Sequence, residues 1–150
     1  MRAVTVQQPW AAAIFHASPR KNVENRTRLS TWRCLERSRV AIHAGQRWSD
    51  RGALTVPDIT DRPLPTGWDV RGAIIGTVDV TDVHWEADQC CEPWGEASYV
   101  DAAGIRQLSI VHLVLENPRP CPPIDCRGAL GAWRVPDHVA LVLETGRTWV

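Results

Sequence analysis

The sequence predicts one α+β domain over residues 1–150, a small mixed β-barrel with one early helix and with helical or loop covers. Five or six segments have the composition or the alternation of β-strands, and one proline-initiated segment near the start has the composition of a helix. Proline and glycine punctuate the connections. A chain of 150 residues is long enough to bury one substantial core.

A strand and the helix come first. Residues 3–6 alternate and are rich in β-branched side chains, which predicts a strand. Pro9 then opens an alanine-rich run that reaches His16. Proline suits the first position of a helix and alanine is the strongest helix former, so this run is predicted to be helical. Ser18-Pro19 ends the helix after about two turns.

Segment 20–28 contains Lys21, the only lysine in a chain with 16 arginines. Burial can shift the pKa of a lysine amine but not the charge of an arginine, so a position that keeps lysine is a candidate site. The alternation after Lys21 predicts a strand with Glu24, Arg26 and Arg28 on one face. Such a charged face suits a cleft or a groove rim. Parity places Lys21 on the opposite face, unless the preceding turn rotates it.

The middle of the chain is predicted to be less regular. Residues 33–39 are predicted to form a loop, and residues 39–44 a strand that Gly45 ends. Residues 46–72 contain several prolines and are predicted to be loop-like or weakly helical. A span of this length inside a compact domain is usually a functional cover or a mobile flap.

Strands dominate the second half. They are predicted at 73–83, at 109–116 before a cluster of prolines, and at 128–135. Residues 84–104 are predicted to form a loop with short helical turns. Residues 137–144 are apolar enough to form either a last strand or a short helix.

Charge is divided unevenly although the formal net charge is zero. Residues 1–51 carry 10 basic and 3 acidic side chains, and residues 52–150 carry 7 and 14. Either the basic third attracts an anionic partner, or the two parts attract each other within the fold. No apolar stretch could span a membrane, and the N-terminus lacks the pattern of a signal peptide, so a cytoplasmic location is expected.

The five cysteines are expected to be free thiols, as in most cytoplasmic proteins. They are Cys34, Cys90, Cys91, Cys121 and Cys126. The last four, with His84, could be combined into a zinc site. No CxxC spacing supports such a site, so no metal and no other cofactor is predicted.

Three segments in order resemble the ASCH domain, a member of the PUA-like barrel superfamily. The first is Gln8-Pro9-Trp10-Ala11 at the start of the helix. The second is Lys21-x-x-Glu24-x-Arg26, followed by the strand at 40–44. The third is Gly128-Ala129-Leu130-Gly131-Ala132-Trp133, preceded by the strand at 112–115. Their order and spacing cover most of the chain.

The resemblance implies a curved barrel with a cleft beside the first helix, lined by Lys21, Glu24 and Arg26. It implies RNA, DNA or a nucleoside as partner, because family members are associated with nucleic-acid binding and related barrels accept flipped or modified bases. One branch hydrolyses acetylated cytidine with the motif lysine, a threonine three residues later and a distant glutamate; others are described as ribonucleases. Here the threonine position is Glu24, so that mechanism does not transfer. At the position two residues before the lysine, where family members often have glycine, this chain has Pro19.

The predicted function is binding of a nucleic acid, of which RNA is favoured, or of a modified nucleoside. The side chains assigned to binding are Trp10, Lys21, Glu24, Arg26, Arg28, His43 and Thr77. Trp10 and Trp133 lie inside regular elements and are also expected to pack in the core. The tryptophans of predicted loops are better candidates for base stacking. These are Trp48, Trp68, Trp85 and Trp94.

Two other classes remain open. A hydrolase of acylated cytidine nucleosides or of RNA would use Lys21, with a lowered pKa, as base, and Glu24 to hold or relay its proton. Possible third members are Thr77, Asp79, Glu86 and His43. No Ser-His-Asp or phosphate-loop signature is present. A protein-interaction module would instead expose an apolar loop face around Trp68 or Trp94.

Overall fold

The computed structural model describes residues 1–100 and 102–146, and its largest feature is a mixed sheet of six strands. The strands of this sheet are β1 (Arg2–Gln8), β2 (Val23–Arg26), β3 (Ser38–Trp48), β4 (Ala73–Trp85), β7 (Val111–Asp125) and β8 (Ala132–Arg134). Their spatial order is β2-β7-β4-β3-β1-β8. A separate hairpin pairs β5 (Tyr99–Val100) with β6 (Arg106–Leu108).

The helices are short and lie between the strands. They are α1 (Trp10–His16), α2 (Leu29–Trp32), which continues into a 3₁₀ turn (Arg33–Leu35), α3 (Asp50–Thr60) and α4 (Asp137–Thr145). None of the helices in the described ranges has the length and apolar character needed to cross a membrane.

The sheet is mixed because β1 runs parallel to β3, whereas the other pairs are antiparallel. The α+β class is therefore confirmed. Closure into a barrel is not: β2 pairs only with β7 and β8 only with β1 in the part of the chain that is described, so each is an edge of an open sheet. The main core includes Val4, Ile14 and Leu113, which are buried between the sheet and α1.

Strands β3 and β7 run well past their predicted ends. Gly45 does not end β3, which continues to Trp48. A Cβ at position 45 would lie 2.9 Å from Cγ2 of Thr5, so glycine here permits β3 to approach β1 closely. The proline cluster does not end β7 either. Because β2 covers only Val111–Val114 of β7, the rest of that edge is open, and proline is tolerated on an open edge.

Helices replace two predicted irregular segments. Residues 46–72 contain α3, whose N-terminus is capped by the Ser49 hydroxyl, which accepts from the N–H of Gly52 at 2.9 Å. The prolines of this segment favoured a loop or a weak helix, but Pro57 lies inside α3. At Gly52 a Cβ would meet the indole of Trp10 at 2.8 Å, so this glycine serves packing. Residues 33–39 begin with a 3₁₀ turn that follows α2. Neither this turn nor α2 was predicted from the sequence.

The end of the chain settles two further predictions. Residues 137–144 form helix α4, one of the two alternatives left open. The strand predicted at 128–135 shrinks to β8, and residues 126–131 before it form a loop. The predicted loop at 84–104 begins with the last two residues of β4 and continues with turns and strand β5, apart from Asp101, which lies outside the described residues.

Candidate functional site

A cleft of about 1060 Å³ opens between the two edges of the sheet. Strand β2 lines one side, and β1, β3 and the loop before β8 line the other. Strand β8 pairs only with Arg2–Val4, so the rest of β1 is left uncovered on that side. Across this gap Nη2 of Arg26 donates to the carbonyl of Thr5 at 2.7 Å. The cleft therefore occupies the seam at which a barrel would close.

Lys21 lies beneath the cleft with 1% of its surface exposed. Its backbone N–H donates to the carbonyl of Ala13 at 3.0 Å, which holds residue 21 against α1. Its ammonium donates to the carbonyl of Val23 and lies 3.6 Å from Oε2 of Glu24. The turn before β2 thus brings Lys21 to the side of Glu24, the possibility that strand parity alone left open.

Burial dominates the electrostatics of Lys21. Loss of solvation lowers the pKa of the ammonium below its ordinary value, and the nearby carboxylate of Glu24 only partly offsets this. The positive charge of Arg26 lowers that pKa further. A lysine in such surroundings gives up its proton more easily than one in water, which is the property required of a base.

Glu24 presents a carboxylate oxygen that no described residue satisfies. Oε1 accepts from the backbone N–H of Asn25 at 3.1 Å and lies 3.9 Å from Nε of Arg26. Oε2 is buried and has no hydrogen-bond partner within residues 1–100 and 102–146, although Lys21 is close enough to compensate its charge. A buried acceptor without a donor is rare in proteins, and an unplaced ligand or water is a common reason for it.

Arg26 is held rigidly beside Glu24. Its guanidinium stacks over the ring of Trp32, with Cζ 4.9 Å from the ring centroid, and donates to Thr5. Its Nε is a second buried group that has no hydrogen-bond partner in the described ranges. Oε2 of Glu24 and Nε of Arg26 are therefore two buried groups of cleft-lining residues that take part in ion pairs but lack a hydrogen-bond partner in the described ranges.

The opposite wall is a chain of hydrogen bonds through Thr5 and His43, which are register partners on β1 and β3. Nε1 of Trp133 donates to Oγ1 of Thr5 at 3.0 Å, and Oγ1 lies 3.3 Å from Nδ1 of His43. Nε2 of His43 is 2.7 Å from the carbonyl of Cys126 and must donate to it, which leaves Nδ1 to accept in the neutral ring. Burial lowers the pKa of His43, in keeping with a neutral ring, although the bond to Cys126 opposes this.

The loop at 126–131 depends on Gly128. A Cβ at this position would lie 2.6 Å from Cε1 of His43 and 2.8 Å from Oγ1 of Thr5. Only glycine lets the loop pack directly on this pair. At the mouth of the cleft the loop carries Leu130, whose side chain is 99% exposed, and Arg127.

The structure brings together most of the side chains assigned to binding. Trp10, Glu24, Arg26 and His43 line the cleft. Arg28 is exposed and lines an adjacent hollow of about 450 Å³, which shares Arg26, Leu130 and Gly131 with the cleft. The two cavities therefore lie next to each other.

Thr77 lies apart from the other side chains assigned to binding. It lies on β4 and does not line the cleft; its hydroxyl accepts from Nε of Arg39 at 3.0 Å. Asp79, a possible third catalytic member, is 3.0 Å from Nη1 of the same arginine and is also outside the cleft. Glu86 is buried at the far end of β4, next to Ile110. Of the four possible third members, His43 lines the cleft.

The tryptophans are distributed differently from the prediction. Trp10, expected in the core, is partly buried and lines the cleft. Trp94 is 3% exposed, so it offers neither a stacking face nor an exposed docking surface. Trp48 ends β3 in an edge-to-face contact with Trp68, and Trp85 ends β4. Trp68 and Trp85 are exposed but do not line the cleft.

Sequence reasoning missed Thr5, Arg47 and the loop at 126–131 as parts of the site. Thr5 was hidden in an ordinary strand pattern, and Arg47 lay beyond the predicted end of its strand. A second cluster contains three residues that the sequence analysis considered for a zinc site, together with His112, which it missed. In this cluster His84, Cys90, Cys91 and His112 place their ligand atoms within 4.8 Å of one another. Cys121 and Cys126 are not part of that cluster.

The comparisons with known proteins concern the fold. No protein-family model matches the chain, and no curated protein matches it. Among solved structures, the ASCH protein of Zymomonas mobilis matches with a TM-score of 0.55 and 13% identity, over 96% of this chain and 94% of that chain. One of its point mutants matches with a TM-score of 0.53 and 13% identity, over 96% of each chain. A second mutant matches at 0.53 and 14%, over 95% and 94%.

The fold and the cleft define an α+β domain that carries a polar groove at an open sheet seam. More specifically, the chain has the ASCH fold, as the sequence resemblance predicted. At 13% to 14% identity the likeness concerns the fold alone.

Proposed function

We propose that the protein binds a nucleobase in the cleft, as part of RNA or as a modified nucleoside. The observation that carries this proposal is the position of Glu24 in the cleft lining, where its buried Oε2 is ion-paired with Lys21 but has no hydrogen-bond partner in the described ranges. A carboxylate oxygen at the floor of a cleft accepts hydrogen bonds from the exocyclic amino and ring N–H groups of a base. Phosphates and sugars carry no N–H groups. Nε of Arg26 beside it supplies a donor for a base carbonyl or ring nitrogen.

The surroundings of Glu24 fit a base better than an inorganic anion. A phosphate at the floor would meet the negative charge of Glu24. Further out, Arg47 and Arg127 line the cleft and are exposed, so they are placed to contact a sugar-phosphate backbone. Trp10 lines the cleft and offers a ring for stacking, which contributes about 1–3 kcal/mol per base.

The adjacent hollow favours a polymer over a free nucleoside. Arg28 and Thr31 lie there, and the hollow shares Arg26 with the cleft. One nucleotide in the cleft would leave its neighbour beside Arg28. This arrangement suits single-stranded RNA whose bases are splayed out for recognition.

A second candidate is hydrolysis of an acylated cytidine nucleoside or of RNA. It is favoured by the burial of Lys21, which lowers the pKa of the amine. In this reaction Lys21 acts as the base that removes a proton from the attacking water or hydroxyl, and Glu24 accepts a hydrogen bond from the resulting ammonium. Arg26 would stabilise negative charge that develops on the reacting oxygen.

A paired binding and turnover assay separates the candidates. Wild type and Lys21→Ala are incubated at low salt with a labelled single-stranded RNA of roughly 12 nucleotides and with cytidine and acylated cytidine. Fluorescence anisotropy, or calorimetry for the nucleosides, gives affinity, and mass spectrometry detects cleaved RNA or released acyl group. Arg62→Ala is the surface control, because Arg62 is exposed and does not line the cleft.

The outcomes are distinct. Binding without products, weakened in Lys21→Ala and unchanged in Arg62→Ala, supports the binding function. Products from wild type that vanish in Lys21→Ala support the hydrolase. Absence of both binding and products with all three probes contradicts the proposed function.

A further inference from the structure

We infer that His84, Cys90, Cys91 and His112 form a tetrahedral zinc site that fixes the segment between β4 and the β5 hairpin. Sγ of Cys90 lies 3.6 Å from Nε2 of His84 and 3.4 Å from Nδ1 of His112. Sγ of Cys91 lies 3.5 Å from Nε2 of His84. All four atoms lie within 4.8 Å of one another.

These separations match the edges of a zinc tetrahedron. With Zn–S about 2.3 Å and Zn–N about 2.0–2.1 Å, two ligands at the tetrahedral angle are about 3.6 Å apart for a sulfur–nitrogen edge. The three sulfur–nitrogen distances given above fall at this value. Two thiolates and two neutral imidazoles also balance the charge of Zn²⁺, and this soft and borderline donor set is one that zinc prefers.

The topology explains why the sequence spacing hid the site. His84 on β4 and His112 on β7 are register partners, so adjacent antiparallel strands hold their rings side by side, with centroids 5.4 Å apart. Cys90 and Cys91 come from the turns that follow β4. Asp88, Gln89 and Cys91 adopt positive φ there, which folds this segment back over the two histidines. Two ligands are therefore neighbours across a sheet and two are neighbours in sequence.

Both histidines have the outer hydrogen bonds that metal-binding imidazoles require. Nδ1 of His84 lies 2.7 Å from Oδ2 of Asp82, and Nε2 of His112 lies 2.8 Å from the carbonyl of Glu96. Each partner accepts the ring proton, so the other nitrogen of each ring keeps a lone pair directed at the thiols. Carboxylate and carbonyl partners of this kind fix the tautomer and the orientation of zinc-bound histidines.

The site connects to the cleft through the same segment. The backbone N–H of Glu96 donates to Oδ1 of Asn25 at 2.8 Å, and Nδ2 of Asn25 donates to the carbonyl of Trp94 at 2.9 Å. Asn25 is next to Glu24 on β2 and lines the cleft. Four protein ligands leave no open position, so the zinc is structural, and it secures the segment that buttresses β2.

Metal content of the intact protein is the first test. Protein purified without chelators and under reducing conditions is expected to carry about one zinc per chain, measured by native mass spectrometry and by elemental analysis. After removal of zinc, titration with Co²⁺ should give a thiolate-to-cobalt charge-transfer band and the intense visible bands of tetrahedral cobalt. Neither signal requires the proposed nucleobase binding, so the two proposals fail independently.

Variants assign the ligands. His84→Gln and Cys91→Ser should abolish stoichiometric zinc, whereas Cys34→Ser should retain it, because Cys34 is exposed and outside the cluster. Asp82→Asn keeps all four ligands but weakens the outer bond to His84, and it should lower metal affinity by about 10–100-fold. Circular dichroism checks the fold of each variant.

The result that would overturn the zinc site is reduced wild-type protein that carries no zinc and gives no tetrahedral cobalt spectrum. Equal metal content in wild type and in folded His84→Gln and Cys91→Ser variants would also overturn it. If those variants do not fold, the wild-type zinc content and the Asp82→Asn affinity decide the question. A Cys90–Cys91 disulfide found in protein purified under reducing conditions would also contradict the zinc site, because neither sulfur could then bind zinc as a thiolate.

Discussion

Nζ of Lys21 lies 3.6 Å from Oε2 of Glu24, and this ion pair is withdrawn from solvent beneath the cleft. Desolvation of a buried pair often costs as much as the attraction between the charges returns. The lowered pKa of Lys21 shows that burial outweighs the attraction to Glu24. We therefore expect the pair to serve the site rather than stability.

The first prediction concerns stability. Replacing both partners together, Lys21→Met with Glu24→Gln, should leave the free energy of unfolding within about 1 kcal/mol of wild type or raise it by up to ~4 kcal/mol. Urea unfolding measures this. The control replaces the exposed pair in the same way, Arg134→Met with Asp137→Asn, and should change stability by less than about 1 kcal/mol. A loss above ~2 kcal/mol in the first double variant would mean that the pair stabilises the fold.

The second prediction concerns pH. The pKa of Lys21 is lower in the folded chain than its ordinary value of 10.5, so between these two values the unfolded chain holds a proton that the folded chain has released. Folding stability then rises with pH through that window. Relative to the Lys21→Met, Glu24→Gln double variant, wild type should gain stability as pH rises from neutrality towards 10.5.

Urea midpoints of the two proteins, measured side by side across this pH range, check the sign. Other titrating groups are shared and cancel in the difference. A difference that stays flat, or that moves against wild type as pH rises, would show that the pKa of Lys21 is not lowered in the folded protein.

The third prediction concerns the loop before β8. Gly128→Ala places a methyl group 2.6 Å from Cε1 of His43 and 2.8 Å from Oγ1 of Thr5, so the loop or the imidazole must move. We expect a loss of about 1–3 kcal/mol in stability and weaker RNA binding. Ala102→Ser, at an exposed position that lines neither the cleft nor the adjacent hollow, is the control and should change neither. Unaltered stability and binding in Gly128→Ala would show that the loop does not depend on this contact.

The fourth prediction concerns phosphate contacts. If Arg47 and Arg127 at the cleft rim each neutralise one phosphate of bound RNA, replacing either with alanine should reduce the slope of log affinity against log salt by about 0.7 for a single strand. Arg62→Ala should leave the slope unchanged. Anisotropy titrations of the labelled RNA at several salt concentrations give the slopes. Equal slopes for all variants would show that the phosphates of the bound RNA do not contact Arg47 or Arg127.

Local patterns predicted much of the sheet, because alternation and β-branched composition report a strand directly. Residues 3–6 and 73–83 fall inside β1 and β4. Patterns failed where tertiary contacts decide the structure. The prolines of residues 46–72 favoured an irregular segment, yet Pro57 lies inside α3. The prolines of β7 indicated the end of a strand, but they lie on an open edge.

The candidate site was predicted in part for a similar reason. The Lys21, Glu24 and Arg26 motif is local, and the family resemblance implied a cleft beside it, but strand parity alone left the side on which Lys21 lies open. The opposite wall joins Thr5, His43 and the loop at 126–131, which lie far apart in sequence and meet only in the assembled sheet. Thr77 was assigned to binding and named as a possible third catalytic member, and the structure places it beside Arg39 on β4.

Glu24→Gln is the most direct test of nucleobase binding in the cleft. The substitution keeps the shape of the side chain and one oxygen that accepts from the backbone N–H of Asn25. It removes the negative charge and replaces the second carboxylate oxygen, Oε2, with an NH₂ group. With the labelled single-stranded RNA and the nucleosides as probes, affinity should fall by about 10–150-fold, the value of a hydrogen bond to a charged group. Glu144→Gln, at an exposed position of α4, should bind as wild type does. Equal affinity of Glu24→Gln and wild type for every probe would contradict base recognition by Glu24.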